Sequence, residues 1–184
     1  MNLQFITTNE LKMMRAKQVM SRFNIDITQN SLEFDELQSY DGEKIARHKA
    51  EQAFAAVGQP IVVTDDTWTI PGLHDFPGPY MKAMNHYLQS SDWERLVEPL
   101  TDRRIFLHEH LVYQDADGQY YVTRAIERQL LPKARGSHNF NHLALVAYGN
   151  DGRSRAEALA GGDILADPDH TAWHDLGQWL TAKQ

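Results

Sequence analysis

The 184-residue chain contains no cysteine, which excludes disulfide bonds and thiolate metal sites. It lacks any apolar run close to the ~20 residues that span a membrane, and its start lacks the basic segment and apolar core of a secretory signal. We therefore expect a cytoplasmic protein with no membrane partner. The net charge of −7 disfavours a broad nucleic-acid surface, so no nucleic-acid partner is expected, but a few lysines could still bind one small anionic ligand.

Three motifs of common enzyme classes are also absent. The chain has no Gly-x-x-x-x-Gly-Lys-Ser/Thr loop, which disfavours a P-loop NTPase, and no Gly-x-Gly-x-x-Gly fingerprint, which disfavours a Rossmann dehydrogenase. It has no Gly-x-Ser-x-Gly elbow either, which disfavours an α/β-hydrolase. Carboxylates and lysines are left as the main candidates for chemistry.

The apolar pattern predicts alternating strands and helices in an ordinary globular composition, 42% hydrophobic and 23% charged. Strands are predicted at residues 3–7, 25–27, 61–64, 105–113, 120–126 and 143–148, and helices near 10–23, 42–57, 80–88, 91–100 and 171–180. We expect one α/β domain, residues 1–184, with a mixed twisted sheet, flanking helices and two lobes around a central cleft. Side chains expected to be buried include Leu32, Phe34, Leu37, Ala56 and Tyr87.

The stretch Ile61-Val62-Val63-Thr64-Asp65-Asp66-Thr67 organises the rest of the prediction. Four β-favouring residues predict a buried strand, and ligands gather at the carboxyl end of such strands in α/β sheets. Two adjacent acids there are costly to ionise without a cation or a shared proton. A strand that ends in a solvated acidic turn is the alternative.

Two lysines lie at positions on predicted helices where they could meet a ligand: Lys12 at a helix start and Lys49 on a helix face. Thr7-Thr8-Asn9-Glu10-Leu11-Lys12 is a strand, a turn and a helix start, a place that attracts phosphate through free N–H groups. Lys49 lies on the apolar side of the second helix, where it either extends to solvent or points into a cleft. On the predicted strand 105–113, His108 and His110 share one face, for which an ordinary cross-strand role is favoured over a metal site.

The acids and lysines together suit phosphate chemistry. Carboxylates such as Glu36, Asp65 and Asp66 bind Mg²⁺, which in turn binds substrate phosphates. Lysines neutralise the remaining phosphate oxygens as point charges. Phosphoryl or nucleotidyl hydrolysis requires this combination of a metal, a base for water and cations on the leaving group.

The ordered motifs resemble those of the inosine triphosphate pyrophosphatase family, which hydrolyses aberrant purine nucleoside triphosphates to the monophosphate and pyrophosphate. The residues that carry the resemblance are Thr7-Thr8-Asn9-Glu10-Leu11-Lys12, Glu36-Leu37-Gln38, Lys44 to Ala50, Asp65-Asp66-Thr67, Phe76-Pro77-Gly78-Pro79-Tyr80-Met81-Lys82 and Asp102-Arg103-Arg104. They cover roughly the first hundred residues in the family's order.

The resemblance implies a role for each matching position. Glu36 and Asp66 would hold Mg²⁺, and Asp66 with Asp65 would orient or deprotonate the attacking water. Substrate contacts would come from Thr7, Thr8, Asn9, Lys12, Lys49, Thr67, Lys82 and Phe140. The family is typically dimeric, so the resemblance also implies a homodimer.

The C-terminal third departs from the family pattern. Where the family has Phe-Gly-(Trp or Tyr)-Asp-Pro, this chain has Phe140-Asn141-His142-Leu143-Ala144. The family's closing Ser-His-Arg has no clear counterpart, and His170 and His174 are the nearest candidates. The resemblance therefore predicts a Mg²⁺-dependent nucleoside triphosphate pyrophosphatase, which hydrolyses a non-standard purine nucleoside triphosphate to the monophosphate and pyrophosphate. The half of the site that recognises the base is expected to differ from that of the family. Two alternatives are a protein that binds a nucleotide or phosphorylated metabolite without hydrolysing it, and a hydrolase for another phosphate ester or a modified pyrimidine nucleotide.

Overall fold

A computed structural model describes residues 1–183, and within them six strands form one mixed sheet with helices around it. The strands are β1 (Asn2–Ile6), β2 (Asp26–Asn30), β3 (Ile61–Ile70), β4 (Phe76–Gly78), β5 (Arg104–Asp115) and β6 (Gly118–Gln129). Their order is β2-β1-β3-β5-β6, and β4 pairs with β3 outside this path. β1 runs parallel to β2 and β3, whereas β4 is antiparallel to β3. The predicted α/β class with a mixed sheet is confirmed.

Six α-helices connect or follow these strands in the described residues. They are α1 (Glu10–Met20), α2 (Gly42–Val57), α3 (Met81–Tyr87), α4 (Ser90–Val97), α5 (Arg155–Ala160) and α6 (Ala172–Ala182). None of the helices in residues 1–183 combines the length and apolar character needed to cross a bilayer.

The chain divides into two compact units. Within the described residues, the first contains 1–66, 109–124 and 167–183, and the second contains 67–108 and 125–166. The first unit therefore holds β1, β2, α1, α2 and α6, and the second holds β4, α3, α4 and α5. The predictions of a single domain and of a cleft between lobes stay predictions.

The core of the first unit is built where α2 packs on β3. Small residues at helical spacing, Ala46, Ala50 and Ala53, bring the helix close to Ile61 and Val63. Successive strand residues point to opposite faces, so Ile61 and Val63 share the face of β3 that α2 covers. This alternation decides where the acids that follow them point.

The acid pair lies inside a strand, so the prediction that it ends one was wrong. β3 continues to Ile70, because Trp68 and Ile70 pair with Gly78 and Phe76 of β4. The residues that follow the acids are β-branched or aromatic and suit a strand. The motif that begins at Phe76 accordingly starts with a short strand, Phe76–Gly78.

The predicted final strand at residues 143–148 was also wrong. The segment starts with a 3₁₀ turn (Asn141–Ala144), and only Val146 and Ala147 form isolated bridges, to Leu130 and Ser154. Helix α5, which was not predicted, follows. Its start is a capping box in which Ser154 and Glu157 exchange hydrogen bonds with each other's backbone.

Several burial expectations also require correction. Leu32 is 39% exposed, Leu37 41% and Tyr87 76%, and Ala56 is exposed at the outer side of α2. The inward face of α3 consists of Met81 and Asn85. By contrast, Phe34 packs against the α2–β3 core, as expected.

The hairpin and the C-terminal helix agree with the prediction. β5 and β6 are joined by a turn at Ala116-Asp117, directly before Gly118, and α6 buries Trp173, Leu176 and Leu180. Trp173 meets Phe5 of β1 edge-on at 4.8 Å between ring centroids, which attaches this helix to the first strand.

We expect Gly177→Ala to destabilise the attachment of α6. A Cβ at position 177 would lie 2.3 Å from Cδ2 and 2.7 Å from Cγ of Phe23, so the whole ring would have to move. Overpacking of this kind costs about 1–3 kcal/mol of the free energy of unfolding, and alanine's higher helix propensity returns about 1 kcal/mol. Urea unfolding should therefore show a net loss. The control is Gly161→Ala, where the nearest atom is 3.4 Å away; an equal effect in both variants would contradict the packing argument.

Candidate functional site

The two adjacent acids of β3 have different neighbours. Asp65 continues the face of Ile61 and Val63, which is covered by α2, whereas Asp66 points toward α1. The prediction from the sequence grouped Asp65 and Asp66 into one acidic centre. The structure instead places the two carboxylates on opposite faces of β3, although the charge of Lys12 acts on both of them.

Asp66 is surrounded by cations from α1. Its Oδ2 atom lies 3.5 Å from Nζ of Lys12 and 3.8 Å from Nη1 of Arg15. The start of α1 is built as predicted: Asn9 is the N-cap, and its side chain accepts a hydrogen bond from the Lys12 N–H at 3.1 Å. Thr7 is buried and accepts from the Asn9 N–H at 3.1 Å.

Other predicted residues lie beside this turn or along α2. Thr8 is exposed next to the N-cap. Glu36 lies before α2, and its Oε1 atom is 3.9 Å from Nζ of Lys49. With half of the Glu36 side chain exposed to solvent, this ion pair contributes little to stability.

Asp65 is the acid whose protonation the surroundings change most clearly. Partial burial raises the pKa of Asp65 to about 6 from its ordinary value of 3.8, because desolvation disfavours the charged form. The negative charges of Asp66 and Glu36 also raise this pKa, whereas Lys12 and Lys49 lower it. These four influences mean that Asp65 senses both the α1 group and the α2 group.

Two small pockets accompany these groups in the first unit. One is lined by Lys12, Arg15 and Asp66 together with residues of β5 and α6, and the other by Glu36 and Lys49 with apolar neighbours. Each offers about 10 Å³, which is close to the space for one water molecule. Lys12 and Asp66 thus line one pocket, and Glu36 and Lys49 line the other.

The remaining predicted residues belong to the second unit. Thr67 is buried in β3, and Lys82 is exposed in the first turn of α3. Phe140 is half-buried, and its ring stacks on His138 at 5.5 Å. Its N–H donates to Nδ1 of the same histidine at 3.0 Å.

His142, which stands where the resembled family has a large aromatic residue, is buried in the second unit. Desolvation lowers its pKa to about 3, and its ring meets Trp68 edge-on at 4.9 Å. Asn85 fixes it, because the side-chain Oδ1 of Asn85 accepts a hydrogen bond from the backbone N–H of His142 at 3.1 Å, and Nδ2 of Asn85 lies 2.8 Å from Nδ1 of the imidazole. The imidazole is therefore a neutral core residue.

The histidines of the hairpin have the cross-strand contacts expected of them. His108 Nε2 lies 2.8 Å from the hydroxyl of Thr69, and His110 Nδ1 lies 2.8 Å from that of Tyr121. Among the C-terminal histidines, His170 contacts Asp167 at 2.7 Å. His174 lies 3.6 Å from Asp169.

Sequence reasoning missed Arg15 and Glu109. Arg15 lies on α1 one turn after Lys12, so helical spacing could have placed the two cations side by side. Glu109, which lies between His108 and His110 in β5, was not among the predicted site residues. It is buried at 4% exposure and forms an ion pair with Arg15.

The donor chemistry of the acids is suitable for Mg²⁺. Among residues 1–183, no three acidic or histidine side chains are grouped closely enough to form a metal site from protein ligands alone. Mg²⁺ commonly takes only one or two carboxylates and completes its shell with waters and substrate phosphates. Asp65, Asp66 and Glu36, whose charges influence one another, provide such oxygen donors.

Comparison with known proteins places these features in a family. The model of the Ham1 family matches residues 3–158, a span that includes both acids of β3, Glu36 and all three predicted lysines. This chain belongs to the Ham1 family. The match confirms the family resemblance, and it ends before α6 begins.

Relatives of this Ham1 family member include named pyrophosphatases. It is 30% identical over 152 residues to the dITP/XTP pyrophosphatase of Saccharolobus solfataricus, covering 83% of this chain and 79% of the relative. It is 29% identical over 143 residues to the dITP/XTP pyrophosphatase of Methanopyrus kandleri, covering 77% and 76%. It is also 28% identical over 144 residues to the inosine triphosphate pyrophosphatase of Candida glabrata, covering 75% of each chain.

Solved structures agree on the fold. A HAM1 protein from Coxiella burnetii superposes with a TM-score of 0.78 at 16% identity, covering 99% of both chains. The Ham1 protein of Staphylococcus aureus gives 0.75 at 16% identity and covers 100% of both. The fold therefore extends through α6, beyond the residues matched by the family model.

Proposed function

We propose that this Ham1 family member is a nucleoside triphosphate pyrophosphatase that hydrolyses a non-standard purine nucleoside triphosphate to the monophosphate and pyrophosphate. The observation that carries the proposal is the family match over residues 3–158, together with relatives named dITP/XTP pyrophosphatase. The acids and lysines around the two pockets of the first unit supply chemistry suited to this reaction.

The reaction joins a water oxygen to the α-phosphorus and breaks the bond from that phosphorus to the bridging oxygen of the leaving pyrophosphate. Asp66, with Asp65 beside it, orients the water and accepts its proton. Lys12 and Lys49 neutralise negative charge that builds up on the leaving phosphates. Thr7, Thr8 and Asn9 bind the phosphate chain at the start of α1.

Glu36 and Asp66 would hold Mg²⁺, which supplies positive charge to the phosphate oxygens when it is bound. From the family resemblance, Thr67, Lys82 and Phe140 of the second unit are proposed as further substrate contacts. A homodimer is proposed on the same ground, and the cytoplasm stays the expected location.

A panel of triphosphates assayed with Mg²⁺ tests the function. We expect dITP, XTP and ITP to yield pyrophosphate and monophosphate in equal amounts, faster than ATP or GTP. The products are separated by ion-exchange chromatography. Release of orthophosphate, or no turnover of any nucleotide, would contradict the proposal. Binding of a non-hydrolysable analogue without turnover would instead support a nucleotide-binding protein.

A further inference from the structure

Arg15 lies between two acids of the first unit, the buried Glu109 and the partly exposed Asp66. It is 8% exposed, and its guanidinium faces two acids that come from different strands. Nη2 forms an ion pair with Oε1 of Glu109, and Nη1 lies 3.8 Å from Oδ2 of Asp66. One rigid cation therefore links β5 to the acid of β3.

Glu109 is fixed at both of its carboxylate oxygens. Oε1 contacts Arg15, and Oε2 accepts a hydrogen bond from the Ala172 N–H at 2.9 Å. Ala172 is the first residue of α6, where free N–H groups and the helix dipole favour a negative charge. The carboxylate is thereby held in one position, although it is buried.

The guanidinium group transmits this constraint to Asp66. It is planar, so when one side of the fork is fixed on Glu109, the direction of the other side is fixed as well. The distance of 3.8 Å to Asp66 is longer than a direct hydrogen bond. Arg15 thus acts on Asp66 by charge attraction and does not take up its oxygens as a close donor would.

We propose that Arg15 is a positioning residue that holds the Asp66 carboxylate in its working orientation, and that Glu109 and the N-terminus of α6 fix Arg15. The inference rests on the proposed function, because it concerns the acid assigned there to the attacking water. It also gives α6, which lies beyond the residues matched by the family model, an indirect part in the reaction.

Kinetics of three variants test the inference. Arg15→Lys keeps the positive charge but loses the planar guanidinium group. Glu109→Gln removes the negative charge that holds the Arg15 guanidinium in place. We expect kcat for the best substrate of the panel to fall by ~10–100-fold in each, since small displacements of reacting groups have effects of this size. KM should stay within about threefold, because Lys12 still binds phosphate.

The double variant Arg15→Lys/Glu109→Gln separates a shared path from two independent effects. If Glu109 acts through Arg15, the double variant should have a kcat close to that of the slower single variant rather than the product of both losses. The Kd for a non-hydrolysable triphosphate analogue, measured by calorimetry, should stay within about threefold in all three. Thermal unfolding shows that each assayed variant is folded; Glu109→Asp is used if Glu109→Gln does not fold.

Arg22→Lys is the matched control, since Arg22 forms an exposed ion pair with Asp169, and its kcat should not change. Unchanged kcat in Arg15→Lys and Glu109→Gln, in an enzyme whose wild type is active, would overturn this inference alone. Equal losses in the Arg22 control would also overturn it. A wild type that turns over no triphosphate would overturn the proposed function and this inference together.

Discussion

Asp66→Asn is expected to lower kcat/KM for triphosphate hydrolysis by about 10²–10⁴-fold, the range typical of losing a general base. Asparagine keeps the size of the side chain but neither carries the negative charge nor accepts the proton of the attacking water. It is also a weaker ligand for Mg²⁺ than a carboxylate. Steady-state assays of pyrophosphate release with the best substrate of the panel measure the effect.

Folding should survive this substitution. The ion pairs of Asp66 are 3.5 Å and 3.8 Å long, and Arg15 keeps its partner Glu109, so the free energy of unfolding should change by less than about 1 kcal/mol. The matched control is Asp117→Asn in the turn between β5 and β6, where Asn-Gly also suits a tight hairpin. Activity of Asp66→Asn equal to that of the control would show that Asp66 takes no part in the chemistry.

The second large effect concerns acid stability and His142. Burial lowers the pKa of this imidazole to about 3, from 6.5 in the unfolded chain. Between these two values the unfolded state binds more protons than the folded state, so stability is lost as the pH falls from 6.5 toward 3. One pKa unit corresponds to 1.36 kcal/mol, and the loss from this residue between pH 7 and pH 4 is therefore about 3 kcal/mol.

Urea unfolding at pH 7, 5.5 and 4 measures how steeply the free energy of unfolding falls as the pH is lowered. His142→Gln removes the titrating group but keeps a polar side chain beside Asn85. It should be less stable at pH 7, because the ring contact with Trp68 is lost, yet it should lose about 3 kcal/mol less than the wild type on acidification. His86→Gln, at an exposed position of α3, is the control and should keep the wild-type slope. Identical slopes in the wild type and His142→Gln would contradict the assignment of a neutral buried imidazole.

The sequence allowed the α/β class, α2, the hairpin and α6 to be predicted, since each is specified by a repeated apolar pattern and local end signals. The end of β3 could not be predicted in this way. Asp65 and Asp66 have low strand propensity, and the strand continues past them because β4, which follows later in the chain, supplies hydrogen-bond partners. The prediction of a strand at residues 143–148 was wrong for the opposite reason. The apolar residues there suit a strand, but no neighbouring strand within the described residues pairs along them and only isolated bridges form.

The candidate site shows the same division. The short ordered motifs from Thr7 to Lys82 were sufficient to identify the family, because each depends on a few residues close together in the chain. The different surroundings of Asp65 and Asp66 required the packing of α1 and α2 on the faces of β3. The link from Asp66 through Arg15 to Glu109 could not be read locally, since it joins residues nearly a hundred positions apart.

Local order in the chain was therefore enough to establish the family and the alternation of helices and strands. The partners of each charged group were decided only when distant segments came together. Burial sets the cost of a charge, and burial depends on the whole fold: it leaves Lys82 exposed in α3 and makes His142 a neutral core residue. It also pairs Glu109 with a cation and a helix N-terminus.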